Sequence, residues 1–349
     1  MKKFIAMLSL AAASLSMPTF AAIGQYPVVL VHGLNPSQLQ SRPDATEVRA
    51  DGEEYWQEYW LAHADVRIDW PSHERIAGKI ASDYVWPKLK QLAQSNTCIN
   101  GCVFVTHSTG DLVTRYILDN QENWLLNAGL TPINIISTFD FAGAGGGSEL
   151  ADMAVNIAEG GGVLNASLRL AISLWLGDIP NSNNVGVLND LKVANARQIA
   201  PFPDGRVPRV RFVGDDSEYF GLTSPFLPGH DDGVVSSHSS CGASRSGSFG
   251  SCSTSVAFDG KVTYQSNGVS SFMPRHYPMM MGSGYGHGEL IGDSHEGKVT
   301  TARSSLNLAN GQTISVGTYD QWSWWTWSTY RYVNDSDDLT MSELVTDLL

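Results

Sequence analysis

Val103-Phe104-Val105-Thr106-His107-Ser108-Thr109-Gly110-Asp111-Leu112-Val113-Thr114-Arg115-Tyr116 begins as a short apolar run, the mark of a buried strand. A compact turn around Ser108 follows, and Leu112, Val113, Tyr116 and Ile117 then recur at helical spacing. Strand, serine turn and helix in that order form a nucleophile elbow. Such a turn lifts a hydroxyl clear of a sheet and aims it at the electropositive start of a helix. Gly110 supplies the small neighbour that the crowded turn requires. The usual pattern is G-x-S-x-G, and here Thr106 stands in the place of the first glycine.

Upstream, Tyr26-Pro27-Val28-Val29-Leu30-Val31-His32-Gly33-Leu34 is an apolar strand ending in a glycine turn. Continuous β-branched runs of this kind suit strands covered on both faces of a parallel sheet. Glu53 to Trp70 is rich in aromatics, and Ile76, Ile80, Tyr84, Leu89 and Leu92 recur near helical spacing although Pro87 interrupts. Pro132–Phe141, Val207–Val213 and Tyr277–Met281 read as further strands. The alternation predicts an α/β fold, a mostly parallel central sheet flanked by helices. Residues 144–184, rich in Gly and Ala with an apolar run from Val163 to Leu176, read as one or two helices inserted after a strand. The segment from Thr313 to Val333 carries Trp322, Trp324, Trp325 and Trp327 among Thr, Ser and Tyr, which favours strands. Its indoles are expected to pack as a strand face, the alternative being a water–lipid boundary.

The chain has 349 residues, 42% hydrophobic and 16% charged, with a formal net charge of -13. That balance excludes a basic nucleic-acid surface and disfavours electrostatic docking on anionic membranes. Residues 1–21 carry Lys2 and Lys3, an apolar stretch and a small-x-small end at Thr19-Phe20-Ala21, the layout of a cleavable signal peptide. Export, to the periplasm or the medium, is therefore expected. The predicted organisation is a catalytic domain over 22–300, containing the 144–184 insert, then a C-terminal aromatic-rich β extension over 301–349. Four cysteines suit an oxidising compartment, and local pairing of Cys98 with Cys102 and Cys241 with Cys252 is preferred among three connectivities. The paired C-x-x-C spacing of a zinc site is missing, so no metal is expected there.

A serine hydroxyl needs a base, and the base needs an acid to orient it. With this elbow the chain order is serine, acid, histidine. Asp232, in Asp231-Asp232-Gly233-Val234-Val235, is the preferred acid, Asp216 its main competitor and Asp140 a weaker one. Of nine histidines, His32, His63, His73 and His107 precede or adjoin the serine and drop out as the base, leaving His230, His238, His276, His287 and His295. His287, in the glycine loop after the last strand, is preferred as base over His295. The oxyanion donors are expected at the Thr109 amide and at the Leu34 amide of the His32-Gly33-Leu34 turn, with the His32 side chain bracing that turn.

From roughly Tyr26 to Val299 the chain resembles an α/β-hydrolase of the bacterial triacylglycerol lipase kind. The resemblance rests on Val29-Leu30-Val31-His32-Gly33-Leu34, Thr106-His107-Ser108-Thr109-Gly110, Gly147-Ser148-Glu149-Leu150-Ala151-Asp152, Asp232-Gly233-Val234-Val235 and the glycine-flanked His287. It implies Ser108 as nucleophile, Asp232 as acid, His287 as base, and Leu34 and Thr109 as oxyanion donors. It departs from the family at Thr106 and at Phe139-Asp140-Phe141-Ala142-Gly143, where a Thr-Pro-His segment is common. The resemblance places a lid at 144–184, with an ordinary pair of packed helices as the alternative. It also allows a structural calcium near the catalytic histidine, for which Glu289 and Asp293 are the available donors; no other cofactor is implied. The expected activity is ester hydrolysis, lipase or esterase, through an acyl-enzyme. A phospholipase, polyester hydrolase or acyltransferase on the same fold is the alternative, and a non-catalytic exported binding protein a third reading. The expected partner is an ester or lipid substrate, met in transient contact at a lipid interface. No nucleic acid and no stable protein partner is implied.

Overall fold

The computed structural model describes residues 22–23, 26–161, 166–200, 207–243, 245–247, 260–262, 275–281, 284–293, 297–301 and 303–348. Residues 1–21, His295 and Cys252 therefore lie outside the described residues. The strands are β1 (Ala22–Ile23), β2 (Tyr26–Val31), β3 (Val66–Ile68), β4 (Cys102–His107), β5 (Ile135–Phe141), β6 (Arg209–Val213), β7 (His276–Met280) and β8 (Thr300–Thr301). After them come β9 (Ser305–Asn307), β10 (Thr313–Ser315), β11 (Thr318–Ser323) and β12 (Ser328–Val333). Ten of these form one sheet in the order β1-β2-β4-β5-β6-β7-β8-β12-β11, with β3 also paired to β2, while β9 and β10 pair with each other. From β3 through β7 every pairing is parallel, and β8, β12 and β11 then add antiparallel strands. This is the predicted mostly parallel α/β sheet.

The strands are buried on both sides, as their unbroken apolar runs require. Val29, Val31 and Phe104 join one core and Val28, Leu30, Val103 and Val105 the other, so alternate residues of each strand feed opposite faces. The first helices are α1 (Gln38–Ser41), α2 (Ala45–Leu61), α3 (Trp86–Ser95) and α4 (Thr109–Asn127). Helix α2 starts on a capping box: Asp44 accepts the Thr46 and Glu47 amides, and Glu47 accepts the Asp44 amide at 3.0 Å. The expected helix over 76–92 forms in two pieces, a π-wound segment Ile76–Val85 and then α3. Pro87 sits in the first turn of α3, where a missing N–H costs no helical bond.

The insert forms two helices, α5 (Glu149–Ala158) and α6 (Ala166–Leu176). On α6, Ile172 and Trp175 are buried while Leu170 and Leu174 stay exposed. Cys98 and Cys102 form the expected disulfide; Cys241 is disulfide-bonded, and its expected partner Cys252 is the one outside the described residues.

The C-terminal strands form as predicted, but the expected burial of their indoles is corrected. Trp322, Trp324, Trp325 and Trp327 are 57%, 64%, 76% and 81% exposed. The reason lies in the register: β12 meets the rest of the sheet through one pair, Tyr332 with Thr300, so the far end of the hairpin runs past it. A closing helix, Met341–Leu348, supplies the apolar cover instead through Met341, Leu344, Val345 and Leu348.

Candidate active site

Strand β4 ends at His107 and helix α4 begins at Thr109, leaving Ser108 alone in the turn at φ 54° and ψ -121°. A non-glycine residue held there is strained, and such strain persists only where the surroundings enforce it. The enforcement is local: a Cβ at position 110 would lie 2.2 Å from the Val31 carbonyl oxygen, so helix α4 reaches the sheet only through Gly110. Thr106 replaces the usual glycine because its hydroxyl is used, donating to Asp140 Oδ1 at 2.8 Å beneath the elbow.

Asp232 and His287 come together from loops 55 residues apart, His287 Nδ1 lying 3.0 Å from Asp232 Oδ2. Two amides, Val234 N at 3.0 Å and Val235 N at 2.8 Å, donate to Asp232 Oδ1, so the tight turn after the acid fixes its carboxylate. The His287 amide donates to the Asp232 carbonyl at 2.8 Å, tying the two loops together. Since Nδ1 faces a carboxylate it carries the proton, and the lone pair of the neutral ring is on Nε2. Burial disfavours the charged ring, but the Asp232 charge and hydrogen bond, with Glu218 nearby, outweigh it and hold the imidazole above its ordinary pKa.

Ser108, His287, Leu34 and Thr109 all line one cavity of about 290 Å³, whose wall also includes Trp175, Leu191, Val234, Val235 and Ile291. That size is near the lower end for small-molecule sites, and the lining mixes apolar side chains with polar ones, Gln57, Ser148, Glu218 and Tyr219 among them. Among the described residues no hydrogen bond joins Ser108 to His287. The pair shares the cavity without that bond, as is common before a substrate closes such a site.

Three further residues shape the site and were not singled out from sequence. The Tyr55 hydroxyl bonds His107 Nδ1, and His107 Nε2 lies 2.9 Å from the His287 carbonyl. A carbonyl only accepts, so His107 Nε2 carries the proton and Nδ1 accepts from Tyr55. Burial, then the neighbouring His287, keeps the His107 pKa well below the usual value, so the ring stays a neutral bridge. The third residue, Glu218, accepts the Gly288 amide and lies against Gly286, where a Cβ would meet its Cγ at 2.4 Å. The glycines flanking His287 were the available signal: they mark a close approach, although not by which residue. Helix α2 is broken at Gln57 (φ 57°), and Tyr55, Gln57 and Tyr59 from around that break line the cavity. Tyr59 Oη and Trp60 Nε1 each donate to the Ile291 carbonyl at 2.9 Å, securing the loop after His287.

The remaining candidates go elsewhere. Asp216 is exposed, and its Oδ1 accepts the Ser217 amide, so it does not meet the imidazole. Asp140 is buried under the elbow and bound by Arg209, Thr106 and Thr138. His238 pairs with Glu149 and Arg197, and His276 accepts from Arg211 Nε. The His32 ring lies in the first turn, Nδ1 2.8 Å from the Gly33 carbonyl, and its Nε2 accepts the Trp70 amide at 3.0 Å. Of the two donors considered for a calcium, Glu289 already has a backbone partner, its Oε2 accepting the Gly286 amide at 2.8 Å, and no cluster of three or more metal-ligating side chains occurs among the described residues.

No family model and no curated protein matches the chain. Among solved structures it is similar to the Bacillus licheniformis lipase BlEst2 in its mature form, at 18% identity and a TM-score of 0.41, over 64% of this chain and 81% of that one. The Staphylococcus hyicus lipase is similar at 15% identity and a TM-score of 0.39, over 63% and 80%. A metagenomic carboxyl esterase, MGS0156, is similar at 19% identity and a TM-score of 0.37, over 65% and 64%.

Proposed function

We propose that the chain hydrolyses carboxylic esters of lipid type through Ser108, His287 and Asp232. The observation that supports this most is the strained elbow serine sharing a cavity with an imidazole already oriented by a buried carboxylate. Ser108 Oγ adds to the ester carbonyl carbon while its proton passes to His287 Nε2. The C–O bond to the alcohol then breaks, and His287 returns that proton to the departing oxygen. Water attacks the resulting acyl-Ser108 ester, giving its proton to the same nitrogen, and the carboxylic acid leaves as the serine regains its proton. The Leu34 and Thr109 amides are the proposed donors to the oxyanion formed in both steps. Asp232 keeps Nδ1 protonated and supports the transient imidazolium. The apolar side chains of the wall suit an acyl chain, and the N-terminal segment supports export. No helix among the described residues is long and apolar enough to cross a membrane.

The test is Ser108→Ala assayed on a soluble p-nitrophenyl ester. Turnover should fall by about 10⁴-fold or more, with the thermal midpoint of the purified protein unchanged. Retained turnover in a folded variant would remove Ser108 from the chemistry and this reading with it.

A further inference from the structure

The turn that closes the hairpin of β11 and β12 is Trp324-Trp325-Thr326-Trp327, and Trp322 precedes it on β11. All four indoles are more than half exposed. None of them lines the cavity. Folding does not call for them there, and at one position it argues against them. Trp327 sits at φ 51°, the left-handed region where glycine or asparagine is the low-cost residue and a bulky aromatic is strained. Beyond its edge-on contact with Trp322, the strained Trp327 ring faces solvent.

We propose that this turn is a lipid-contacting surface, and that its partner is the head-group region of a zwitterionic phospholipid layer. Three observations select that partner. First, no ionisable side chain occurs from Gln321 to Thr329 in a chain of net charge -13, so the turn is an uncharged tip on an acidic protein. Second, the charges at the base of the hairpin are paired: Arg331 Nε lies 2.9 Å from Asp320 Oδ1, and Lys298 Nζ lies 4.0 Å from Asp337 Oδ2 and over the Tyr332 ring. Mixed charges behind indoles match mixed head-group charges above a glycerol layer, where tryptophan and tyrosine concentrate. An anionic surface would instead meet the repulsion of the whole molecule. Third, the rings are used against one another. Trp324 and Trp325 stack at 4.0 Å, and Trp322 meets Trp327 edge-on at 6.4 Å and 90°. A sugar polymer lies on free indole faces, and here each ring already meets another indole. The inference rests on the lipid-ester reading for its purpose, but its geometry is separate from the cavity.

The full chain is mixed with phosphatidylcholine vesicles, and bound protein is measured by flotation together with the blue shift of tryptophan emission. Wild type should float with these vesicles, bind no better when phosphatidylglycerol is added, and lose little binding in high salt. Trp324→Ser/Trp325→Ser should lower the partition about tenfold while hydrolysing a soluble p-nitrophenyl ester as wild type does. Trp327→Gly should also bind less, yet melt no lower than wild type because the left-handed position is relieved. Equal flotation of wild type and the double variant, no flotation at all, or salt-sensitive preference for anionic vesicles would each overturn the proposal. If wild type floats but hydrolyses no ester, the hydrolase reading fails and the lipid contact stands.

Discussion

Two polar clusters flank the elbow, and they differ in what their charges face. Beneath it, Asp111 and Asp140 are wholly buried, and every carboxylate oxygen has a donor. Arg209 reaches Asp111 at 2.6 Å and Asp140 at 2.8 Å, Arg211 reaches Asp111 at 3.1 Å, and Thr106, Thr138 and the Gly145 amide take the remaining positions. Above it, Asp232 is equally buried and anchored, but the imidazole it holds opens onto a cavity with Nε2 unpartnered among the described residues. The lower cluster is arranged to keep a strained turn in place. In the upper one a ring nitrogen that faces the cavity has no partner among the described residues, as the proposed hydrolysis requires. Burial alone therefore does not mark the reactive group; an incomplete set of partners beside a cavity does.

Asp232→Asn should separate the two clusters most sharply. The amide keeps the shape of the acid but presents an N–H or a neutral oxygen to His287 Nδ1, so the ring loses its fixed tautomer and the support for its charge. The rate constant for ester hydrolysis should drop about 10⁴-fold, while the denaturant midpoint stays close to wild type. A loss confined to stability would place Asp232 with the lower cluster instead.

Asp111→Ala should do the reverse. Burial opposes the Asp111 charge, yet Arg209, Arg211 and Arg115 hold its carboxyl well below the usual carboxylate range. Removing it leaves guanidinium charge buried without its counter-ion, a cost of about 3–5 kcal/mol, read as a fall in the denaturant midpoint. A carboxylate whose pKa is lower in the folded state contributes stability above its unfolded pKa and loses it as pH falls toward the folded value. Wild type should therefore weaken in acid more steeply than the variant does. Hydrolysis measured where the variant is fully folded should suffer far less than in Asp232→Asn.

The contrast also explains what could be read from the chain. The elbow was legible because its strand, turn and helix are contiguous, and the order of acid and base narrowed Asp232 and His287 to a few loops. The lower cluster was not legible. Asp111 lies in the elbow stretch and Arg209 in a predicted strand, but nothing in either pattern pairs them across 98 residues. Tyr55, His107 and Glu218 escaped for the same reason: Tyr55 meets His107 across 52 residues and Glu218 meets Gly288 across 70. His107 was set aside as a base from its place beside the serine, but its role as a bridge depends on which carbonyl folds over it. The tryptophans of the hairpin show the other limit. Alternation and β-branched composition identify a strand, but only the register of β12 on β8 tells which part of it any layer covers.

The smallest expected effect tests whether the upper cluster has a second acid acting through position. Glu218 lines the cavity and accepts the Gly288 amide, and its own carboxyl is raised, chiefly by burial, against the pull of His287. The groups facing His287 are Asp232, Glu218 and the neutral His107 ring. Glu218→Gln keeps an oxygen for the Gly288 amide and removes the charge. The plateau rate should then stay within about threefold of wild type. Because Glu218 helps raise the His287 pKa, and the base works only when neutral, activity should persist to lower pH than in wild type. The acid limb of kcat/KM reports this directly. Glu218→Ala removes both functions, so it should lower the plateau as well as shift the limb. If Gln and Ala lower the plateau alike and neither moves the limb, Glu218 is only packing against Gly286 and the open cluster has a single acid.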